Sequence, residues 1–365
     1  MRKSLYFFVA VILVALMVVE SCSTRQNKRF SFAFYNVENL FDTVNNPNTR
    51  DDDFLPSSKI AWNTKRYKHK IENLAKVMSS IESGGFPSVF GLCEVENKKV
   101  VEDLIHHPLL AKAGYKIIHK DSPDDRGIDV ALLYRPEQFK PIDTEFIKVD
   151  FPGDFAYDTR EILYVKGLTV HGDIVHIFVN HWDSRWRGKE KTEPYRIFTA
   201  EKLWNRTQKI FKEDPHANIL IGGDLNDNPT DKSLTEGLQA VEPRKPLAEQ
   251  QLYNLSLIPF KKGKGTVYRK GWNMFDQIII STALLTGNNG LQVTSPEQRI
   301  IKHDWMLYHP RKGEPRPNRT AAARYYGGYS DHLPVYIEMN IDESKDIFTI
   351  INCRNPFAWS IPPVR

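Results

Sequence analysis

The chain has 365 residues, 41% hydrophobic and 26% charged, with 50 basic and 45 acidic side chains and a net charge of +5. Length and composition are those of a globular protein with a large core, in one large domain or two small ones. The mild charge, with no Lys/Arg block, excludes a basic nucleic-acid tail and selects no partner by itself.

At the N-terminus, Arg2 and Lys3 precede an apolar run from Leu5 to Val19, then Glu20, Ser21 and Cys22. The run is short for a membrane span and suits the h-region of a signal peptide. Cys22 directly after it resembles a bacterial lipoprotein cleavage site, although Glu20 and Ser21 depart from the usual small residues. The expectation is a signal peptide over 1–21, lipidation at Cys22 and a polar tether over 22–29. The protein is then exported and held on a bacterial membrane by its lipid. The alternative is an uncleaved N-terminal anchor.

Phe30 to Tyr35 reads as a strand ending at Asn36. Thr64 to Ser83 carries Ile71, Leu74, Ala75, Met78 and Ile81 at helical spacing and stops at Gly84-Gly85. Val89 to Cys93 reads as a buried strand ending at Glu94, and Val100 to Leu110 as a short helix closed by His106-His107. Val130 to Tyr134 is a further strand. Ile162 to Val170 and Ile174 to Val179 form a strand pair across His171-Gly172-Asp173. Pro194 to Phe211 reads as a helix, Asn218 to Gly222 as a buried strand, and Asp276 to Ser281 and Val335 to Met339 as late strands. The segment from His309 to Gly328, rich in Pro, Arg and Gly, reads as a long surface loop, functional or mobile. Interleaved helices and directly joined strands predict an α/β fold with mixed sheets in one domain over 30–340. An extension over 341–365 stays unassigned. Cys93 reads as a buried free thiol, with a Cys93–Cys353 disulfide left open, and no cysteine spacing suits a metal.

Polar groups recur where these strands end: Asn36, Glu94, Asn180-His181, Asp224 and Asn226, Asp276, and Asp331-His332. Ligands and catalytic groups collect at strand ends in α/β sheets. Carboxylates with neutral amides suit a Mg²⁺ site that also takes phosphate oxygens.

Several short motifs in order resemble the endonuclease/exonuclease/phosphatase superfamily, of DNase I-like fold. They are Phe34-Tyr-Asn36-Val-Glu-Asn39, Gly91-Leu-Cys-Glu94, Arg126-Gly-Ile-Asp129-Val-Ala-Leu-Leu-Tyr134, Asn180-His181, Gly223-Asp224-Leu-Asn226, Phe275-Asp276-Gln-Ile278 and Ser330-Asp331-His332. Cys93, where the family often has Gln, and the long 282–329 segment depart from it.

The resemblance implies a four-layer αββα sandwich, with two mixed β-sheets packed face to face, and phosphoester hydrolysis with Mg²⁺ or Mn²⁺. It implies Glu94 as principal metal ligand, with Asn36 and Asp331 beside it. His332 is then a general base or a phosphate donor whose ring Asp276 orients. Asp224 and Asn226 position water and phosphate, or Asp224 is itself the base or a ligand. His181 binds phosphate or protonates the leaving group, oriented by Asp129. Asn180, Arg160 and Arg185 are candidate substrate contacts, Arg160 equally a structural salt bridge. Arg187 could join them, with Trp182 or Trp186 to stack or insert. Nucleic acid is the first substrate expectation for a monomeric enzyme. A phospholipid, a sphingomyelin-type head group or a small phosphoester is the alternative, and a non-enzymatic binding lipoprotein the third reading.

Overall fold

Alternation along Arg29–Leu40 (β1) decides the architecture. In this computed structural model, which describes residues 29–153 and 157–341, Phe30, Phe32 and Phe34 point into one apolar cluster while Ala33, Tyr35 and Val37 point into another. A strand apolar on both faces must be covered on both. The expected signal peptide, Cys22, the tether up to residue 28, Cys353 and the segment beyond 341 lie outside the described residues.

The remaining strands are β2 (Val89–Val95), β3 (Lys116–His119), β4 (Asp129–Tyr134), β5 (Phe139–Ile147), β6 (Ile162–Thr169), β7 (Ile174–His181) and β8 (Asn218–Asp224). After them come β9 (Leu252–Asn254), β10 (Val267–Tyr268), β11 (Trp272–Asn273), β12 (Asp276–Ser281), β13 (Leu291–Val293), β14 (Arg299–Ile300), β15 (Leu307–Tyr308), β16 (Arg316–Pro317) and β17 (Val335–Ile341). The helices are α1 (Thr64–Ser79), α2 (Lys98–Ile105), α3 (Lys189–Glu213), α4 (Leu257–Lys261) and α5 (Thr282–Thr286).

One sheet runs β13-β17-β1-β2-β4-β3, with β14 also on β17, and the other β5-β6-β7-β8-β12-β9. Each is mixed: β1–β2 and β7–β8 are parallel and the other pairs antiparallel. Phe30, Phe32, Phe34, Leu132, Val165, Ile177, Leu220 and Ile278 fill the space between the sheets. The α1 and α2 side chains Leu74, Met78, Val101 and Leu104 cover the outer face of the first sheet. Ala200, Leu203 and Phe211 of α3 cover the second. The expected αββα sandwich of two face-to-face mixed sheets is the observed fold.

Gly222 of β8 holds the sheets close: a Cβ there would stand 2.4 Å from the Phe32 ring of the facing sheet. Asn63 caps α1 by accepting from the backbone N–H of Lys65 and Arg66. The helix ends at Ser79, short of the expected Ser83. Helix α3 starts at Lys189, a turn before the expected Pro194, which sits in its first turns. Cys93 is a buried free thiol.

The segment 303–329 is anchored, which the sequence did not show. Lys70 Nζ of α1 donates to Thr320 Oγ1 (2.5 Å) and Tyr329 O (2.7 Å), and Asn73 Nδ2 to Gly328 O (2.9 Å). Arg66 stacks over the Tyr325 ring, and His69 Nδ1 bonds the Tyr325 hydroxyl. This segment is a wall fixed to the first helix.

Candidate active site

The C-terminal ends of β1, β2, β7 and β8 and the N-terminal ends of β12 and β17 meet at one end of the sandwich. Register sets the lateral order in the second sheet: His181 is opposite Asp224, and Asp224 opposite Asp276. Gly223 permits this alignment, since a Cβ on it would meet Asn180 Cβ at 2.6 Å.

Glu94 reaches the site through an irregular strand end. Its φ is +62°, beside a register shift between Cys93 and Val95. Left-handed backbone at a bulky residue stores strain, which gathers at functional sites. Glu94 accepts from Asn39 N (3.0 Å) and Asn36 Nδ2 (3.1 Å). Asn36 also donates to Asp224 Oδ2 (2.9 Å), and its Oδ1 accepts from Glu38 N. Expected beside the metal, Asn36 here holds the two carboxylates together.

Asp224 Oδ2 lies between two buried imidazoles, 3.9 Å from His181 Nε2 and 3.8 Å from His332 Nε2. Burial pushes its carboxyl pKa up; His332 and Asn36 pull it back in part. His332 Nδ1 meets Asp276 Oδ2 at 2.7 Å, so Asp276 orients this ring. Burial opposes charge on His332, but Asp276 and Asp224 outweigh it and raise the pKa to about 10. Among the described residues His181 has no such partner: its Nδ1 is buried without a hydrogen bond. Burial, and then the nearby Arg160 and Arg126, hold its pKa well below the ordinary value, so the ring is neutral at pH 7. Asn226, at φ +50°, closes a turn by donating its N–H to Asp224 Oδ1 (3.0 Å) and its side-chain amide to Trp182 O (3.1 Å).

These donors suit a divalent cation. Glu94, His181 and Asp224 each offer one atom, all within 4.8 Å of one another. The set is two carboxylates and a neutral imidazole whose other nitrogen is unpartnered. Asp224, Asp276 and His332 form an adjoining group, already closed by the His332–Asp276 bond.

Several expected roles are corrected. Asp129 does not orient His181: it accepts from Ser122 N (2.8 Å) and meets His119 Nε2 (2.9 Å). Of its two expected roles Arg160 takes the structural one: it is buried against Asp124 (2.7 Å) and donates to the carbonyls of His181 and Trp182, bracing the strand end. Arg185 is likewise spent on Asn226 O, Asp227 and Asp231. Asn180 is buried, giving its amide to Gly222 O and accepting from Trp182 Nε1. Buried Trp182 therefore cannot stack on a ligand, whereas Trp186 is 90% exposed on the rim. Arg187 lies over the Tyr157 and Tyr195 rings. Asp331, expected as a ligand, pairs with Arg319 at 3.2 Å and stands outside the Glu94–His181–Asp224 group. His332, Arg319 and Arg269 overcome the burial that would raise its carboxyl pKa, and lower it.

Sequence reading missed the walls. The site opens into a cavity of about 960 Å³ lined by Glu38, Arg126, Trp186, the β10–β11 hairpin residues Tyr268 to Lys270, and Arg316, Arg319, Arg324 and Tyr326 of the wall. Glu38, at φ +51°, accepts from Arg319 Nε (2.9 Å) and Thr320 N (2.6 Å). Burial, then Asp331, push its carboxyl up to about 7. The one sequence signal was the arginine-rich stretch 309–328; nothing in it said which arginines turn inward.

Known structures of this shape include an endonuclease/exonuclease/phosphatase family protein from Bacteroides thetaiotaomicron, 16% identical over 87% of this chain and 96% of that one, with a TM-score of 0.55. A mannosyl-6-phosphatase from the same species aligns over 85% and 99% at 16% identity and a TM-score of 0.53. D. rerio TDP2 complexed with a single-strand DNA product aligns over 86% and 99% at 16% identity and 0.52. At such identity they establish the fold alone. No curated protein matches the chain. The model of the Endonuclease/Exonuclease/phosphatase family matches residues 31–341. With the strand-end constellation in place and that match spanning the whole sandwich, the chain belongs to the endonuclease/exonuclease/phosphatase family.

Proposed function

We propose that this protein is a divalent-metal-dependent hydrolase of phosphoester bonds. The observation that carries the reading is the meeting of Glu94, His181 and Asp224 beside a charged His332–Asp276 pair at the base of one cavity. Glu94 with His181 would hold Mg²⁺ or Mn²⁺, and the ion would supply charge neutralisation at the phosphoryl oxygens.

The chain's own groups divide the remaining work. His332, cationic at pH 7, donates from Nε2 to a phosphoryl oxygen; that charge favours the donor role over the general-base role. Asp224, with its raised pKa, is the better acceptor for the proton of the attacking water. Asn226 fixes Asp224 through its backbone N–H.

The test is hydrolysis of bis(p-nitrophenyl) phosphate and p-nitrophenyl phosphate with Mg²⁺, with Mn²⁺ and with chelator. Metal-dependent turnover that is lost in Glu94→Ala is expected. Inertness toward both esters, or turnover indifferent to chelator, refutes the reading.

Nucleic acid, the first expectation from sequence, is supported by the exposed Trp186 ring as a stacking surface, and the D. rerio neighbour was solved with a single-strand DNA product. The mannosyl-6-phosphatase neighbour supports a small phosphoester. Export with a lipid on Cys22 completes the proposal for a monomeric enzyme at a membrane; loss of labelled fatty acid in Cys22→Ser tests it.

A further inference from the structure

Resting on the phosphoester reading, we propose that the substrate is a compact molecule with a second phosphate, which Arg316 and Arg324 of the anchored wall bind.

Charge pairing divides the cations around the cavity: Arg319, Arg269 and Arg126 face carboxylates, whereas Arg316 and Arg324 on the wall and Lys270 on the hairpin have none among the described residues. Arg319 is compensated: Glu38 and Asp331 hold its guanidinium, and the Ala321 carbonyl accepts a further bond (3.0 Å). Arg269 also approaches Asp331 (4.0 Å), and Arg126 lies 3.6 Å from Asp124. Among the described residues, no carboxylate lies within ion-pair distance of Arg316 or Arg324. Each instead lies over a tyrosine of the same wall, Arg316 over Tyr308 at 5.3 Å and Arg324 over Tyr326 at 5.0 Å. Stacking restrains a guanidinium without neutralising it, and leaves its donors free for a planar or phosphate partner.

The wall that carries them is fixed. β16 pairs with β15, Ala321 bridges Tyr325, and Thr320 and Tyr329 are tied to buried Lys70. Two uncompensated guanidiniums on a rigid surface line the cavity whose base holds Glu94 and Asp224. One phosphate can therefore sit at the base and another against the wall, each charge-assisted.

The ring of segments around the cavity and its volume argue for a compact ligand. Arg126, Ser184 and Trp186, the hairpin residues Tyr268 to Lys270, and the wall come from four separate segments around the opening. The volume, about 960 Å³, is that of a small-molecule pocket.

The test measures binding by calorimetry with Ca²⁺ in place of the catalytic ion, so it does not depend on turnover. Fructose 1,6-bisphosphate and glucose 1,6-bisphosphate are compared with fructose 6-phosphate, glucose 6-phosphate and a five-nucleotide single strand. The wild-type protein is expected to bind at least one bisphosphate about tenfold or more tighter than its monophosphate, and tighter than the strand. The double variant R316Q/R324Q is expected to bring that ratio to near one, with an unchanged melting temperature confirming its fold. The wild-type ratio stands whether or not the variant folds. Equal wild-type binding of mono- and bisphosphates, an undiminished ratio in a folded variant, or tighter binding of the strand overturns the proposal. If the bisphosphate preference appears without any phosphoester turnover, the site binds such molecules and the hydrolase reading alone fails.

Discussion

His332 and His181 approach the same oxygen, Asp224 Oδ2, from two sides of the site and carry opposite charge states. Both rings are buried to a similar degree, and their distances to that oxygen differ by only 0.1 Å (3.9 minus 3.8). The difference lies behind the rings. Asp276 stands at His332 Nδ1, whereas His181 Nδ1 meets no partner and Arg160 adds positive charge nearby. Burial alone disfavours both cations; a carboxylate in contact reverses that for one. The same residue type is thus held cationic on one side and neutral on the other, the states that the proposed donor and ligand roles use.

The largest expected effect is catalytic. Replacing the charged donor, His332→Ala, should cut kcat for a chromogenic phosphodiester by about 10⁴-fold, and His181→Ala by about 10²-fold. Equal losses would erase the functional distinction.

Next comes stability. The folded pKa of His332, about 10, lies above its unfolded value of about 6.5. Its contribution is therefore fully present below pH 6.5 and is lost as pH rises through 10. Asp276→Asn should destabilise the protein by about 3 kcal/mol at pH 6. Urea denaturation of both proteins should show the gap narrowing toward pH 10; a gap constant over that range breaks the account. His181 has the opposite sign: its folded pKa is depressed, so its contribution is present above pH 6.5 and is lost as pH falls.

A subtler effect requires no mutation. At pH 7, nitrogen NMR shifts should report two protonated ring nitrogens in His332 and one in His181. Matching protonation states would mean that the carboxylate behind the ring is not decisive.

The smallest effect concerns Asp129. Because its carboxylate serves His119 and Ser122, Asp129→Asn should change kcat by less than about tenfold, under roughly 1.4 kcal/mol of barrier. A hundredfold loss would restore its supposed link to His181.

Alternation and strand-end placement carried much of the inference from sequence. Phe30, Phe32 and Phe34 interleaved with Ala33 and Tyr35 specify a strand covered on both faces, and hence layers on either side. Polar groups following apolar runs picked out Glu94, His181, Asp224, Asp276 and His332, which the fold gathers at one end of the sheets. The Asp276–His332 pairing, 56 residues apart, is present as expected. The arginines were harder. Arg160, just before a strand, and Arg185, shortly after His181, stand where a substrate contact is plausible, yet each is paired with a carboxylate. Whether a guanidinium is free depends on partners distant in sequence, such as Asp124 for Arg160.

Local chemistry therefore determined the long central strands, the helices α1 to α3 and which polar residues stand at strand ends, because a periodicity of two or 3.6 and the end of an apolar run are properties of neighbouring residues; the short strands and helices, and β3 and β5, were not legible. Tertiary structure decided the charge of His181 and His332, the partners of Arg160 and Arg185 and the fixing of the wall to α1. Those depend on electric fields, desolvation and contacts between segments as far apart as Lys70 and Thr320, which no local pattern encodes.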